Sequence, residues 1–260
     1  MEPLHDLTLT TLTYGGEAMG RLADKRAVFV PFGLPGERVR IRLTDEKRGF
    51  ARGELVEVLE PSPERIAPRC PHFGVCGGCH YQHLPYEAQI KAKAEIVRDQ
   101  LMRIGKLENP PVQPTVGCPS PWNYRNHVQF HLTEDGKLGY VSVRGADVIP
   151  VSECHLPEAP INDLWPHLDF EPDTEIERVS LRAGDDLMLV LESESPAAPE
   201  LELEAGISVV HLYEDNPVVM AGDGALHMRV LDRDFQVSAA SFFQVNTDMA
   251  GKMVEHVLSK

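Results

Sequence analysis

No stretch of this chain approaches the roughly 18 consecutive apolar residues that a membrane helix needs. The opening residues, MEPLHDLTLT, lack a basic region followed by an apolar stretch. No secretory signal is therefore expected, and the cytoplasm is the expected compartment. Cysteine is scarce, five residues in all, and a reducing compartment makes a disulfide framework a poor use of them. Positive charge is scarce too: 25 Lys and Arg stand against 40 Asp and Glu, a formal net charge of −15. That balance excludes a uniformly basic nucleic-acid binder. Internal repeats and low-complexity tracts are absent as well, which excludes a solenoid. Nothing calls for a membrane or a protein partner.

What is present is enough for a folded core. Hydrophobic residues make up 42% of 260 positions, sufficient for one large domain or about two or three smaller ones. The acidity is uneven. Residues 1–150 hold 19 Lys and Arg against 18 Asp and Glu, whereas residues 151–260 hold 6 against 22. The excess sits around runs such as Glu192–Glu194 and Glu200–Glu204. A local basic face in the first half stays open.

Residues 4–60 read as short strands between turns. Leu7, Leu9 and Leu12 start an apolar pattern that Gly15-Gly16 breaks, and Ala27 to Val30 is a second β-rich run closed by Pro31, Gly33 and Pro35-Gly36. In Arg38-Val39-Arg40-Ile41-Arg42-Leu43, basic and apolar residues alternate strictly. Side chains alternate faces along a strand, so Val39, Ile41 and Leu43 enter a core while the three arginines line the opposite face. Lys47, Arg48 and Arg52 follow, giving six basic residues against Asp45 and Glu46 between positions 38 and 52. A small barrel of about five strands with a phosphate-contacting face fits.

Pro61, Pro63 and Pro68 make a linker. The spacing of Ile90, Ala94, Val97, Leu101 and Ile104 predicts a helix over 86–104 with one apolar stripe, and Gly105 suits its end. From about 122 to 240 the pattern returns to strands: 127–132, 138–143, and a hairpin of 178–182 with 187–191 turning at Gly184-Asp185-Asp186. The Pro-rich stretches 157–172 and 196–199 read as loops. A last helix begins after Asn246 or Thr247, either of which can cap it, with Met249, Met253, Val254, Val257 and Leu258 as its apolar side.

The most specific motif is Cys70-Pro71-His72-Phe73-Gly74-Val75-Cys76-Gly77-Gly78-Cys79. Three thiolates this close can converge on one centre, because the glycines let the backbone curl. A closed set needs a fourth ligand, for which Cys154 is a better candidate than the Pro-flanked Cys118. Structural zinc, a [4Fe–4S] cluster and buried thiols all compete. One Cys-x2-Cys pair, a separate Cys70 and a remote cysteine suit a cluster better than the paired knuckles of zinc.

The run Cys70–Cys79, continued by His80-Tyr81-Gln82-His83, resembles the cluster signature of RNA uracil-C5 (5-methyluridine) methyltransferases of the RlmD type. The resemblance implies a [4Fe–4S] cluster held by Cys70, Cys76, Cys79 and Cys154. It also implies that residues 1–62 form a TRAM-like RNA-binding barrel contacting RNA through Arg38, Arg40, Arg42, Lys47 and Arg48. Trp122-Asn123-Tyr124-Arg125-Asn126 resembles the family's tyrosine–arginine segment, with Arg125 as a further RNA contact. Ser241 to Asn246 resembles the entry into the methyltransferase domain, where the residue matching Gln244 contacts S-adenosylmethionine. The implied fold is a β-rich α+β chain. It comprises the barrel, a central antiparallel β domain over 63–235 with the cluster segment and one long helix, and the start of a Rossmann-like domain over 236–260.

The implied function is 5-methyluridine formation in RNA, with 23S ribosomal RNA as the substrate. Such chemistry needs a thiolate to attack carbon 6 of uracil and a base to remove the carbon-5 proton. Neither can be placed in residues 247–260, and Cys118 does not match the family's nucleophile. The chain is therefore expected to be a truncated methyltransferase without a catalytic residue of its own. The competing expectations are a non-catalytic RNA-binding iron–sulfur protein and a zinc-stabilised scaffold.

Overall fold

The computed structural model describes residues 3–145, 147–172, 174–202, 206–214 and 216–260. Glu204, in the second acidic run, lies outside them. The chain forms two compact units: residues 1–74 with 79–117, and residues 75–78 with 118–260.

In the first unit, β1 (Leu4–Leu12), β2 (Ala18–Arg21), β3 (Ala27–Val30), β4 (Arg38–Glu46) and β5 (Phe50–Glu60) close into a barrel in the order β1-β2-β3-β5-β4. The expected alternation in β4 is present: Val39 and Ile41 are fully buried with Leu9, Val28, Val30 and Ala51, while Arg38 faces outward. Closure leaves no unpaired sheet edge, which suits so small a core.

One carboxylate ties the barrel to the linker. Glu37 is completely buried, accepts hydrogen bonds from the backbone N–H groups of Leu34 (2.9 Å) and Ser62 (3.2 Å), and pairs with Arg65 at 2.5 and 2.8 Å. Burial alone would raise its pKa, but the Arg65 guanidinium and the two backbone donors hold it below the usual value. Arg65 also donates to the carbonyl of Phe32 at 2.7 Å, bracing a residue whose φ of 62° is unusual for an aromatic side chain. Phe32 and Phe73 pack against the buried His83, at ring separations of 6.5 and 5.2 Å from it.

The helix α1 runs Tyr86–Arg103, close to its expected span. It stops where Gly105 tolerates a carbonyl: a Cβ there would sit 2.7 Å from the Leu101 oxygen. Its stripe is shallow. Ile90, Ala94 and Leu101 are half-buried, Val97 and Ile104 are exposed, and the buried residue is Ala92. Periodicity identifies a helix but does not set the depth of its apolar face.

The second unit is built on a seven-stranded sheet, β12-β11-β10-β9-β6-β7-β8. Its strands are β6 (His127–Leu132), β7 (Leu138–Val141), β8 (Val148–Pro150), β9 (Ile176–Ala183), β10 (Leu187–Ser193), β11 (Ser208–Tyr213) and β12 (Asn216–Ala221). The hairpin β9–β10 is present as expected, and neighbours are antiparallel except β10 and β11. The run Leu187 to Leu191 is apolar at every position because both faces are covered. Leu189 and Leu191 join Phe130, Leu181 and Trp165 on one side, and Met188 and Val190 join Val210 and Leu226 on the other. Leu226 belongs to the separate hairpin β13 (Ala225–Val230) and β14 (Arg233–Ser238).

The Pro-rich segment 157–172 is not all loop: Ala159–Leu164 forms a helix, α2, followed by a 3-10 turn over Trp165–His167. Pro160 and Pro166 stand in the first turn of each, where a missing N–H costs nothing. The final helix, α3, spans Thr247–Leu258 and is capped by Asn246, whose side chain accepts from the Met249 N–H at 2.9 Å. Its apolar side faces outward: Met253, Val254, Val257 and Leu258 are exposed, and Ala250 and Gly251 are the buried positions.

Glu37→Ala is expected to destabilise the first unit by about 3–5 kcal/mol, because it strands Arg65 beside a buried void. Replacing the pair together, Glu37→Leu with Arg65→Met, is expected to recover much of that loss. Urea melts followed by circular dichroism check both, and a loss under about 1 kcal/mol for Glu37→Ala would contradict the bracing role.

Candidate functional site

The cysteines are divided between the units. Cys70 and Cys79 belong to the first, Cys76, Cys118 and Cys154 to the second. All five are partly buried and none forms a disulfide. Among the described residues, no group of three or more His, Cys, Asp or Glu is gathered as a metal site.

Within the first unit, the N–H of Cys70 donates to the Gln82 side chain at 3.0 Å, and its carbonyl accepts from Phe73 at 3.2 Å. Within the second, residues 75–78 lie along the edge of β7. The Gly77 N–H donates to the Val141 carbonyl (3.0 Å), the Val143 N–H donates to the Val75 carbonyl (3.0 Å), and Cys76 bridges Ser142. Gly77 is required there, since a Cβ would lie 2.7 Å from the Val141 oxygen. The Gly78 N–H points at the Cys76 sulfur, 3.4 Å away. Tyr140, also on β7, lies against Phe130 at a ring separation of 4.9 Å. Burial first, then Cys154, push the Tyr140 phenol far above its ordinary range.

The barrel arginines have company that the alternating pattern does not reveal. Antiparallel pairing sets Arg38 against Glu60, Arg40 against Glu57 and Arg42 against Glu54. Arg38 meets Glu60 at 3.2 Å, Arg40 meets Glu57 at 2.9 Å and Asp6 at 2.8 Å, and Arg42 meets Glu54 at 3.3 Å. The Arg40 hydrogen bond holds the Asp6 carboxyl below its ordinary pKa. Lys47 meets Asp45 at 3.1 Å. Arg48 is fully outward in the β4–β5 turn, with no ion pair among the described residues. The outer face is therefore a charge lattice of both signs, where a bare basic stripe was expected.

Around the expected Arg125 the second unit gathers a polar knot. Asn126, 1% exposed, donates its backbone N–H to the Val245 carbonyl (3.0 Å) and its side-chain amide to the Gln244 carbonyl and the Thr247 hydroxyl (both 2.9 Å). Its own carbonyl accepts from Ala183 at 2.8 Å. Arg182, paired across the sheet with His127, donates to the Ser241 carbonyl at 2.6 Å. Asn246 donates to the Cys118 sulfur at 3.2 Å. The segment 241–247 is thereby pinned at several points, and the Gln244 side chain is exposed on a fixed backbone. A carboxamide so presented can donate and accept at once, which fits a cofactor contact. Arg125 is placed near His127 and Tyr140, and its buried Nε meets no protein acceptor.

Tyr140, Asn126, His127 and Arg182 were not singled out by the sequence. Asn126 stood within the quoted run Trp122–Asn126, but its side-chain partners, Gln244 and Thr247, lie more than a hundred positions away. Tyr140 and Arg182 read as ordinary strand residues until the sheet register is known.

Residues 5–56 match the TRAM domain. Across most of its length the chain is similar to proteins named uncharacterized RNA methyltransferases. The one from Thermosynechococcus vestitus is 32% identical over 96% of this chain and 63% of its own length. That from Aquifex aeolicus is 33% identical over 97% and 63%, and that from Synechocystis sp. 31% over 94% and 61%. The chain thus spans a little over three-fifths of these relatives. Among solved structures, the Pyrococcus abyssi tRNA (uracil-54, C5)-methyltransferase in complex with S-adenosyl-L-homocysteine shares the fold. Its TM-score is 0.69 at 21% identity, over 97% of this chain and 64% of that one. No helix among the described residues is long and apolar enough to cross a membrane.

His127 carries a pH signature. Burial, then Arg182 and Arg125, lower its pKa from 6.5 to about 4. As pH falls, the unfolded chain binds this proton first, so stability present above pH 6.5 is lost down to about pH 4. The contribution is on the order of 3 kcal/mol. Denaturant melts at pH 7 and pH 5 are expected to differ less for His127→Gln than for the unaltered chain; equal differences would count against a buried neutral imidazole.

Proposed function

We propose that this chain is the RNA-binding and [4Fe–4S] part of a cytoplasmic S-adenosylmethionine-dependent enzyme that makes 5-methyluridine in RNA. The supporting observation is the coincidence of a TRAM-matching barrel with similarity, over more than nine-tenths of the chain, to proteins named RNA methyltransferases. In the domain division read from the sequence, the barrel binds RNA, residues 63–235 carry the cluster, and residues 236–260 open the cofactor domain. Cys70, Cys76, Cys79 and Cys154 hold the cluster. Gln244 contacts S-adenosylmethionine, which supplies the methyl group when bound.

The barrel's ion pairs do not oppose an RNA role. Exposed pairs are worth about 0–1 kcal/mol each, so a phosphate can displace a carboxylate at little cost. Arg38, Arg40, Arg42 and Lys47 can exchange partners in this way, Arg48 needs no exchange, and Arg125 adds a donor in the second unit. Arg48→Glu is expected to weaken binding in gel shifts and to reduce the slope of log affinity against log salt by about 1. An unchanged slope would remove Arg48 from the interface.

Ribosomal RNA is the proposed substrate, from the pairing of barrel and cluster in the resemblance. The structural neighbour named for tRNA uracil 54 makes transfer RNA the competitor. Competition between 23S fragments and transfer RNA decides: preference for transfer RNA would overturn the ribosomal choice.

For the cluster, anaerobically purified chain is expected to hold about four irons and four sulfides with broad brown absorption. Cys154→Ser is expected to lose iron. Zinc without sulfide would replace the cluster with a zinc scaffold.

A further inference from the structure

We propose that Phe50 and Phe29, on the outside of the barrel, form a stacking platform for an unpaired nucleobase of the RNA, with Arg48 as the phosphate contact beside it. The inference rests on the RNA reading above and deepens it: the barrel takes a single-stranded segment in preference to a duplex. Strand alternation puts both rings outside. Val28, Val30 and Ala51 are fully buried in the barrel core, so their neighbours Phe29 on β3 and Phe50 on β5 turn away from it. The parallel β3–β5 pairing sets Ala27 beside Phe50 and Phe29 beside Arg52, and the two rings meet at 6.0 Å and 74°. In such an edge-to-face pair, the ring that gives its edge keeps both faces clear of its partner. Phe50 is 37% exposed, Phe29 is half-buried, and neither belongs to the core cluster.

The surroundings suit a polyanion. In Lys47-Arg48-Gly49-Phe50-Ala51-Arg52, basic residues flank the ring on both sides. The turn that carries Arg48 is fixed before any ligand arrives. The Lys47 N–H donates to the Phe50 carbonyl at 2.8 Å, and Arg26 donates to the Lys47 carbonyl at 3.2 Å and to the Glu46 carboxylate at 2.9 Å. Arg52 is already balanced by Glu17, and Lys47 by Asp45. Arg48, exposed and with no ion pair among the described residues, is the cation left for a phosphate. A nucleotide divides in the same way, into an apolar base face and a charged backbone, and an aromatic ring beside an uncommitted arginine matches both parts. In a duplex the base faces are covered by their stacked neighbours. A duplex can therefore use Arg48 but not Phe50.

The test is fluorescence anisotropy of the purified chain with a labelled uridine-rich strand of about 12 nucleotides, alone and in a blunt duplex. The unaltered chain is expected to bind the single strand more tightly. Phe50→Leu is expected to weaken single-strand binding about tenfold while duplex binding and the salt slope stay unchanged, and Phe50→Tyr is expected to keep full binding. Should Phe50→Leu fail to fold in a urea melt, photocrosslinking of a 5-iodouridine strand to the unaltered chain decides, with the crosslink expected at Phe50 or Phe29. Equal single-strand binding by Phe50→Leu, or crosslinks at other residues alone, would overturn the platform and leave the RNA reading intact. An unaltered chain that binds neither RNA would overturn the RNA reading, and this inference with it. A dimer in solution that Phe50→Leu dissociates would make the rings a contact between copies, which also overturns the platform.

Discussion

The hydrogen bonds of Asn126 are the constraint on which the second unit's candidate site depends. One buried residue at the head of β6 binds Val245, Gln244 and Thr247 while its carbonyl closes onto Ala183 of β9. A buried amide is expensive to leave unpaired, so these contacts hold the 241–247 segment in one place. Arg182 repeats the device from β9, donating to the Ser241 carbonyl. The result is a loop whose backbone is set by side chains from the sheet, with Gln244 presented outward and the N-cap Asn246 starting α3. Local sequence explains the cap. Only the sheet explains where the cap sits.

Electrostatics in the barrel obey the same long-range logic. Alternation along β4 correctly placed Val39 and Ile41 inside and the arginines outside, because the period of a strand is a local property. What those arginines meet is not local. Glu54, Glu57 and Glu60 come into register through three irregularities in the β4–β5 ladder, which no count along the chain would anticipate. The even charge balance of residues 1–150 was already a sign that the basic residues had partners. A face of paired charges differs from a basic stripe in what it offers a polyanion. Each arginine can be recruited, but only by exchanging one carboxylate for a phosphate, which favours a partner that fits the spacing over one that is merely anionic.

The legible parts of the fold were those with a strong period or an unambiguous punctuation mark: the closed barrel, α1, the hairpin β9–β10, and the Asn246 cap. The segment 157–172 was misread because prolines dominate it. Pro160 and Pro166 stop chains in general but are harmless in a first helical turn, and Trp165 shows the segment's purpose, packing its ring on Phe130 at 5.2 Å. The apolar sides of α1 and α3 were legible as faces but their exposure was not, because periodicity reports which residues share a face, not what covers it. Of the candidate site, the cysteines were visible as a motif. Their setting was not, because the strand edge that binds the backbone of Val75 and Gly77, at Val141 and Val143, lies more than sixty positions away and is fixed only by the sheet.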